Sequence, residues 1–206
     1  MSSPASASSA PVANISDILS GLTASPARRL TLRAILDALG ERGFALMMLL
    51  LALPNCIPMV PPIPLLCGLL IAFLAAQMVA GRRTPWLPRL LLDWSVDRDD
   101  AARVLDRARP FIRRVERVLS PRITALTFPP GLRVVALLLL LFALALLVAA
   151  PIVGQIPLGI AIALAGIGIT ERDGAVVLAG IAIGSIGVAI SVGFVAAIVA
   201  GLMAIF

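Results

Sequence analysis

Residues 58–65 read PMVPPIPL, and residues 151–158, ninety-three positions later, read PIVGQIPL. The two segments are identical at five of eight positions, and each lies inside a long uncharged stretch. Proline lacks a backbone donor and interrupts a helix, which is costly in hydrocarbon unless the freed groups find partners. Two such interruptions at corresponding places predict a duplicated membrane element. Discontinuous elements of this kind commonly line the binding site of a transporter.

The composition is that of an integral membrane protein. The chain is 60% apolar with a mean hydropathy of +1.06, whereas soluble domains are about 45–50% apolar. His is absent, which removes the commonest metal ligand and proton shuttle. Cys56 and Cys67 are isolated in apolar sequence, where cysteine behaves as a small buried hydrophobe. We therefore expect no metal site, no disulfide and no cofactor.

The net charge of +6 comes from one segment. Residues 81–133 hold 12 arginines and 6 acidic residues, which by itself gives +6. This segment lies between apolar stretches, where positive charge indicates the cytoplasmic side and contact with anionic membrane lipids. We therefore expect no nucleic-acid partner. Residues 1–29 are rich in Ser, Ala and Pro and lack the pattern of a signal peptide, so they are predicted to form a disordered tail.

The first half of the predicted membrane domain (30–206) contains an interfacial helix and a hairpin. Residues 30–42 have the spacing of an amphipathic helix lying at the membrane surface. Residues 43–80 are uncharged and divide into two arms around the first proline-rich tip. The first arm has 11 residues and would rise only about 16 Å, whereas a full span needs about 20 residues. We favour a re-entrant hairpin, with two full spans as the alternative.

The second half repeats this arrangement after a polar segment. Residues 81–133 are predicted to form cytoplasmic amphipathic helices, with a soluble protein-binding helix as the alternative. Residues 134–170 form the second hairpin, and residues 174–206 are uncharged and Gly-rich. This last region is either one long helix or two short ones broken near Gly187–Gly193. The predicted fold is an all-α polytopic membrane protein with two duplicated, Pro-broken hairpins.

Several short motifs resemble the ExoD family. The run Ala-Gln-x-x-x-Gly-Arg (76–82) precedes Pro-Trp-Leu-Pro (85–88), and Glu-Arg-Asp-Gly (171–174) follows an apolar arm. The resemblance extends from about residue 15 to the end of the chain. ExoD proteins are bacterial inner-membrane proteins named for a part in exopolysaccharide synthesis. The resemblance thus implies an inner-membrane location and a link to the cell envelope, without a molecular activity.

Three amides lie in or beside the predicted tips. Asn55 and Gln155 lie in the two tips, and Gln77 lies on the second arm of the first hairpin. A buried amide needs a partner, so these side chains either bond the backbone groups freed by the prolines or line a polar cavity for an ion or a hydroxyl. The helix-breaking residues of the tips are predicted to be Pro54, Pro58, Pro61, Pro64, Pro151 and Pro157.

Charged residues flank both hairpins. Arg82 and Arg83 suit phosphate, because guanidinium forks match its oxygens, although they could equally be ordinary positive-inside anchors. Charges beside membrane segments are candidate ion or headgroup sites, with an interfacial cap as the structural alternative. Besides the two arginines, these are Glu41, Arg42, Glu171, Arg172 and Asp173.

The sequence does not support an enzyme. Ser185 and Ser191 have no activating base at a useful spacing, and there is no Walker-type loop. No catalytic residue is therefore predicted. The leading hypothesis is transport or flipping of a small ion or a lipid-linked phosphate through a site formed by the two hairpins. The alternative is a non-transporting scaffold for polysaccharide assembly enzymes, and a homo-oligomer through residues 180–193 fits either hypothesis.

Overall fold

The apolar regions that the structure describes are mainly helical. The structure, a computed structural model, describes residues 29–31, 36, 42–58, 62–82, 84–87, 95–97, 103, 106–107, 110, 123–148 and 154–205. Within the described residues the long helices are α1 (Arg42–Ala52), α2 (Ile63–Val79), α3 (Gly131–Val148), α4 (Gln155–Thr170) and α5 (Gly174–Ile205). A 3₁₀ turn (Leu53–Cys56) extends α1, and another (Thr124–Leu126) precedes α3.

The proline-rich segments start helices as well as interrupting them. Pro64 and Pro157 were predicted to lie in the tips, but they lie in the first turns of α2 and α4. Proline is tolerated there because the first amides of a helix have no intrahelical acceptor. Pro54 lies in the 3₁₀ turn after α1, and Pro58 lies in the non-helical connection. The predictions for Pro61 and Pro151 concern positions outside the described residues.

Helices α2 and α4 end with the same backbone arrangement. After α2, the amide of Arg82 donates to the carbonyl of Gln77 (3.1 Å) and the amide of Gly81 to that of Met78 (2.9 Å). This is a Schellman motif, and Gly81 supplies the left-handed residue that it needs (φ +77°). After α4, the amide of Asp173 donates to Gly168 in the same way, at 2.8 Å.

The helices pack as antiparallel neighbours around one apolar core. The start of α1 faces the end of α4, and the 3₁₀ turn after α1 faces the start of α4. Helix α2 packs against α3, and α4 also packs against the first half of α5. Small residues allow these close approaches, since a Cβ on Gly166 would lie 2.9 Å from the carbonyl oxygen of Ala45. The largest fully buried apolar side chains are Met48, Ile71, Leu74, Leu139, Leu158 and Ile162.

Two predictions about the polar segments need correction. The interfacial helix was predicted from residue 30, but Arg29–Thr31 form a strand that pairs antiparallel with Ser95–Asp97, which lie in the segment predicted to be helical. Short-range spacing could not reveal this pairing, because the paired positions are 64 to 68 residues apart. Arg42, predicted to end the interfacial helix, instead begins α1.

In the part of the chain that the structure describes, two helices are long and apolar enough to cross a membrane. These are α3, and α5 over Gly174–Met203. Only 11% of the apolar window of α5 is buried, so most of its surface faces outward. Helix α5 is continuous, which decides between the single helix and the two short helices that the sequence allowed. The long apolar helices indicate a membrane protein.

Candidate functional site

Asn55 lies in the 3₁₀ turn that follows α1 and is fully buried. Its Nδ2 donates to the carbonyl oxygen of Leu51 at 3.0 Å, one helical turn earlier. Its Oδ1 has no hydrogen-bond partner in the described part of the chain. Reversing the side-chain amide would place Oδ1 against the carbonyl oxygen of Leu51, and two acceptors cannot form a hydrogen bond. The hydrogen bond to Leu51 therefore identifies Oδ1 as the atom without a partner. Asn55 therefore presents an unused acceptor inside the protein.

Gln155, the first residue of α4, presents an unused donor. It is 5% exposed, and its Nε2 lacks a partner among the described residues. Gly159 lies one turn later on the same face of α4. A Cβ on Gly159 would lie 2.7 Å from the backbone carbonyl of Asn55, so the two tips are in close contact. We call Asn55 and Gln155 the tip amides.

Gln77 has a different position and different partners. It lies in the last turn of α2, at the opposite end of that helix from the tip. Its Nε2 donates to the backbone carbonyl of Trp86 at 3.0 Å, and its Oε1 accepts from the backbone amide of Trp86 at 2.7 Å. These two hydrogen bonds tie the segment after α2 back onto the helix. Gln77 is thus not brought together with the tip amides.

A second polar feature lies at the end of the bundle away from the tips. A cavity of about 380 Å³ lies between the starts of α1 and α3 and the ends of α2 and α4. Four arginines from these four places line it, and none of its described lining residues is acidic. We call it the arginine cavity, and its arginines are Arg42, Arg82, Arg133 and Arg172. Its walls also include the apolar residues Phe44, Met78, Phe128, Leu132 and Ile169.

Two of the arginines are held in specific ways. The guanidinium of Arg133 lies over the turn after α2, since a Cβ on Gly81 would be 2.9 Å from its Nη2. The guanidinium carbon of Arg172 lies 4.9 Å from the ring centroid of Phe128, within the range of a cation–π contact. Arg172 also has a left-handed backbone (φ +56°), which is uncommon for any residue other than glycine.

Asp173 has a structural role beside the cavity. Its Oδ1 accepts hydrogen bonds from the backbone amides of Ala175 (3.0 Å) and Val176 (3.4 Å), which caps α5. The side chain is 4% exposed, and both Asp173 and its neighbour Glu171 take part in further interactions. The carboxylate of Asp173 thus caps the start of α5 and is not among the described residues that line the cavity.

The structure brings together charged residues from the flanks of both predicted hairpins. Arg42 and Arg82, predicted beside the first hairpin, and Arg172, predicted beside the second, line one cavity. Arg133 was missed as an individual site residue, although an arginine in the first turn of a long apolar helix was a usable signal. Glu41 and Arg83 were also predicted, and they lie outside the described residues. Among the described residues, no cluster of three or more His, Cys, Asp or Glu side chains could hold a metal ion.

Comparison with known proteins gives one family. The family model described as "Exopolysaccharide synthesis, ExoD" matches residues 15–202. Protein ExoD of Rhizobium meliloti is 33% identical over 176 residues, which cover 81% of this chain and 71% of the relative. The uncharacterized protein slr1875 of Synechocystis sp. is 27% identical over 151 residues, covering 72% of this chain and 71% of that protein. No solved structure matches significantly.

Proposed function

The chain belongs to the ExoD family, and from that premise we propose that it carries a small ion or a lipid-linked phosphate across the bacterial inner membrane. The family is linked to exopolysaccharide synthesis. The arginine-rich segment 81–133 would lie in the cytoplasm, by the positive-inside rule.

The observation that carries the proposal is the pair of tip amides. Asn55 Oδ1 and Gln155 Nε2 are buried polar atoms without a partner in the described part of the chain. Such an atom costs roughly 1–3 kcal/mol, so a purely structural core would be expected to avoid two of them in contacting segments. An acceptor and a donor together can serve a polar group that passes between the tips. Hydrogen bonds to that group would then offset the free-energy cost of the two unpaired atoms while the group is present.

The arrangement of the helices supports a site between two related halves. If the pair α1–α2 and the pair α3–α4 are copies, a two-fold axis between them exchanges α1 with α3 and α2 with α4. Under that exchange the contact between α1 and α4 becomes the contact between α3 and α2. Both of these helix contacts are extensive. The repeated Ile-Pro-Leu begins the second helix of each pair, and each of these helices ends in a Schellman motif. Transporters built from repeats bind substrate where the repeats meet.

A scaffold for polysaccharide assembly enzymes is the second proposal, and the surface of α5 favours it. An apolar groove of about 530 Å³ runs along the second half of α5 beside the end of α3. It is lined by small and branched side chains, including Ala145, Val148, Val188, Val192 and Ala196. Large exposed apolar surfaces mark sites of contact with lipid or protein. Such a scaffold would contact its partners through this helix or through residues 97–119.

Replacing both tip amides separates the two proposals. In cells that carry each variant in place of the native chain, the transporter proposal expects Asn55→Leu/Gln155→Leu to reduce exported polysaccharide at least about tenfold. The melting midpoint in detergent should not fall, because two unpaired buried polar atoms are removed. Ser185→Ala is the matched control, since that exposed hydroxyl bonds only the carbonyl of Ile181 in its own helix.

The opposite outcome would support the scaffold. In that case the double Leu variant exports normal amounts of polysaccharide, and deletion of residues 97–119 abolishes export. A double variant that exports normally therefore contradicts the transporter proposal directly. If the double variant loses export only because it misfolds, its melting midpoint falls, and the two single variants Asn55→Asp and Gln155→Glu, which keep the side-chain shape, then carry the test.

A further inference from the structure

We infer that the arginine cavity binds a phosphate group attached to a hydrocarbon chain. The inference assigns a substrate class to the proposed function and rests on it for its biological role. Binding itself can be measured at equilibrium, without any movement across the membrane.

The charge of the cavity selects an anion. Four guanidinium groups from four different parts of the chain line a space of about 380 Å³ without an acidic side chain among its described lining residues. Like charges held this close together repel one another unless an anion lies between them. Guanidinium groups match phosphate oxygens because they donate pairs of hydrogen bonds in a fixed fork. The nearby carboxylate of Asp173 already caps α5.

The inference depends mainly on three of the arginines. Arg42 has another interaction within the protein, so the inference does not depend on it. The guanidinium of Arg133 lies over Gly81 in the turn after α2, and Arg82 is the next residue of that turn. Arg172 reaches the cavity from the end of α4, and its guanidinium carbon lies 4.9 Å from the ring centroid of Phe128. A guanidinium has five N–H donors, and a contact with one aromatic ring does not engage all of them, so Arg172 can still donate to a phosphate.

The apolar lining selects a hydrocarbon chain. Phe128, which is 45% exposed, and the half-buried Leu132 present apolar surface to the cavity. A free phosphate or a sugar phosphate would leave these side chains unused, whereas an alkyl chain would cover them. The volume lies within the range of small-molecule sites, about 300–1,000 Å³. A charged end and an apolar wall in one cavity fit an amphiphile.

The backbone at Arg172 is a further sign of function. A residue with a side chain in the left-handed region is disfavoured, and glycine is the usual choice at this position of a Schellman motif. The equivalent position after α2 is Gly81. Arg172 therefore occupies a position where glycine would be more favourable for the backbone. Having arginine there places a guanidinium group in the lining of the cavity.

The first test is a titration of the purified chain in neutral detergent, in which binding is measured as the rise in the melting midpoint of the protein. The probes are dodecyl phosphate, dodecylphosphocholine and inorganic phosphate. We expect dodecyl phosphate to bind at least about tenfold more tightly than either of the others, because one lacks the free phosphate end and the other lacks the chain. Equal binding of inorganic phosphate would overturn the hydrocarbon part of the inference and leave a site for free phosphate.

The variants test the residues. Arg82→Ala, Arg133→Ala and Arg172→Gly should each weaken dodecyl phosphate binding at least about tenfold, since a hydrogen bond to a charged group contributes about 1.5–3 kcal/mol. Arg107→Ala, at an exposed position away from the cavity, should change it less than about twofold. Arg172→Gly should fold well, because glycine suits its backbone, so its loss of binding cannot be attributed to unfolding. Unchanged binding in Arg133→Ala and Arg172→Gly would overturn the inference.

Binding and transport can fail separately. Asn55→Leu/Gln155→Leu should bind dodecyl phosphate normally, because the tip amides lie at the other end of α1 and α4 from the cavity. If that double variant binds dodecyl phosphate but exports no polysaccharide, both proposals stand. If it exports normally while the arginine variants lose binding, the phosphate site stands and the tip site does not.

Discussion

At the scale of single residues, the contact between the two tips depends on Gly159. A Cβ at this position would lie 2.7 Å from both the carbonyl carbon and the carbonyl oxygen of Asn55. These are backbone atoms, which cannot rotate away as a flexible side chain could. Glycine is therefore required here by the close approach of another chain segment, and not by its own backbone angles.

This contact predicts that Gly159→Ala lowers stability. The added methyl group must push the tip of the first pair of helices away from α4, and overpacking of this kind costs about 1–3 kcal/mol. Gly193→Ala is the matched control, since a Cβ there meets nothing within 4 Å and should change stability by less than about 0.5 kcal/mol. Melting midpoints of the two variants in detergent make the comparison. Equal midpoints would mean that the tips are not in contact.

The importance of individual residues could be predicted only where the sequence pattern alone reveals it. Asn55 and Gln155 stood out because an amide in an uncharged run needs a partner, and both are buried with one unpaired atom. Gly159 did not stand out in the same way. Its role arises from the approach of a segment that is distant in sequence, which a single chain without tertiary information does not reveal.

At the scale of elements, the start of α5 is fixed by a side chain. Asp173 accepts hydrogen bonds from two of the first backbone amides of α5, which otherwise have no intrahelical acceptor. The same residue completes the Schellman motif of α4 through its backbone amide. One residue thus closes α4 and opens α5, which explains how a sharp turn joins two apolar helices.

We predict that Asp173→Ala costs about 1 kcal/mol of stability, the usual effect of losing an N-cap side chain. Asp173→Asn is the control, because its amide oxygen can still accept from Ala175 and Val176. Asp173 also takes part in another interaction. If thermal unfolding shows the Asn variant to be as destabilised as the Ala variant, the charge of Asp173 matters and the cap does not.

The elements themselves were largely predictable. Uncharged runs bounded by arginine and proline predicted the positions of helices α1 to α4 to within a few residues, because charge is expensive in hydrocarbon. The strand pair Arg29–Thr31 and Ser95–Asp97 was not predicted. Each strand has only three residues, which is too short for an alternating pattern to be distinguished from part of a helical one.

At the scale of the whole molecule, the length of α5 indicates how deep the tips lie in the membrane. It begins at Gly174, beside the arginine cavity, and Gly187 packs against Pro157 and Leu158 at the start of α4. The 13 residues between these two glycines rise about 20 Å, whereas the hydrocarbon core is about 30 Å thick. If the arginine cavity lies at the cytoplasmic surface, the tips end inside the membrane, as the re-entrant prediction requires.

This depth predicts the side from which single cysteines react. In a background with Cys56 and Cys67 replaced by alanine, Arg133→Cys should react with a membrane-impermeant thiol reagent only in inverted vesicles. Met203→Cys should react only in intact cells, because α5 continues 18 residues beyond Gly187, or about 27 Å, and its end is exposed. Labelling of both positions from one side would contradict the orientation argued here.

The tip provides the decisive position in the same experiment. Pro58→Cys lies in the exposed connection after Asn55, and a tip that stops about 10 Å short of the outer surface should not react in intact cells. Strong labelling from outside would mean that α1 and α2 cross the whole membrane, in which case the tip amides would lie at the outer surface. The transporter proposal would then lose its mid-membrane site, while the arginine cavity would remain at the other end of the same helices.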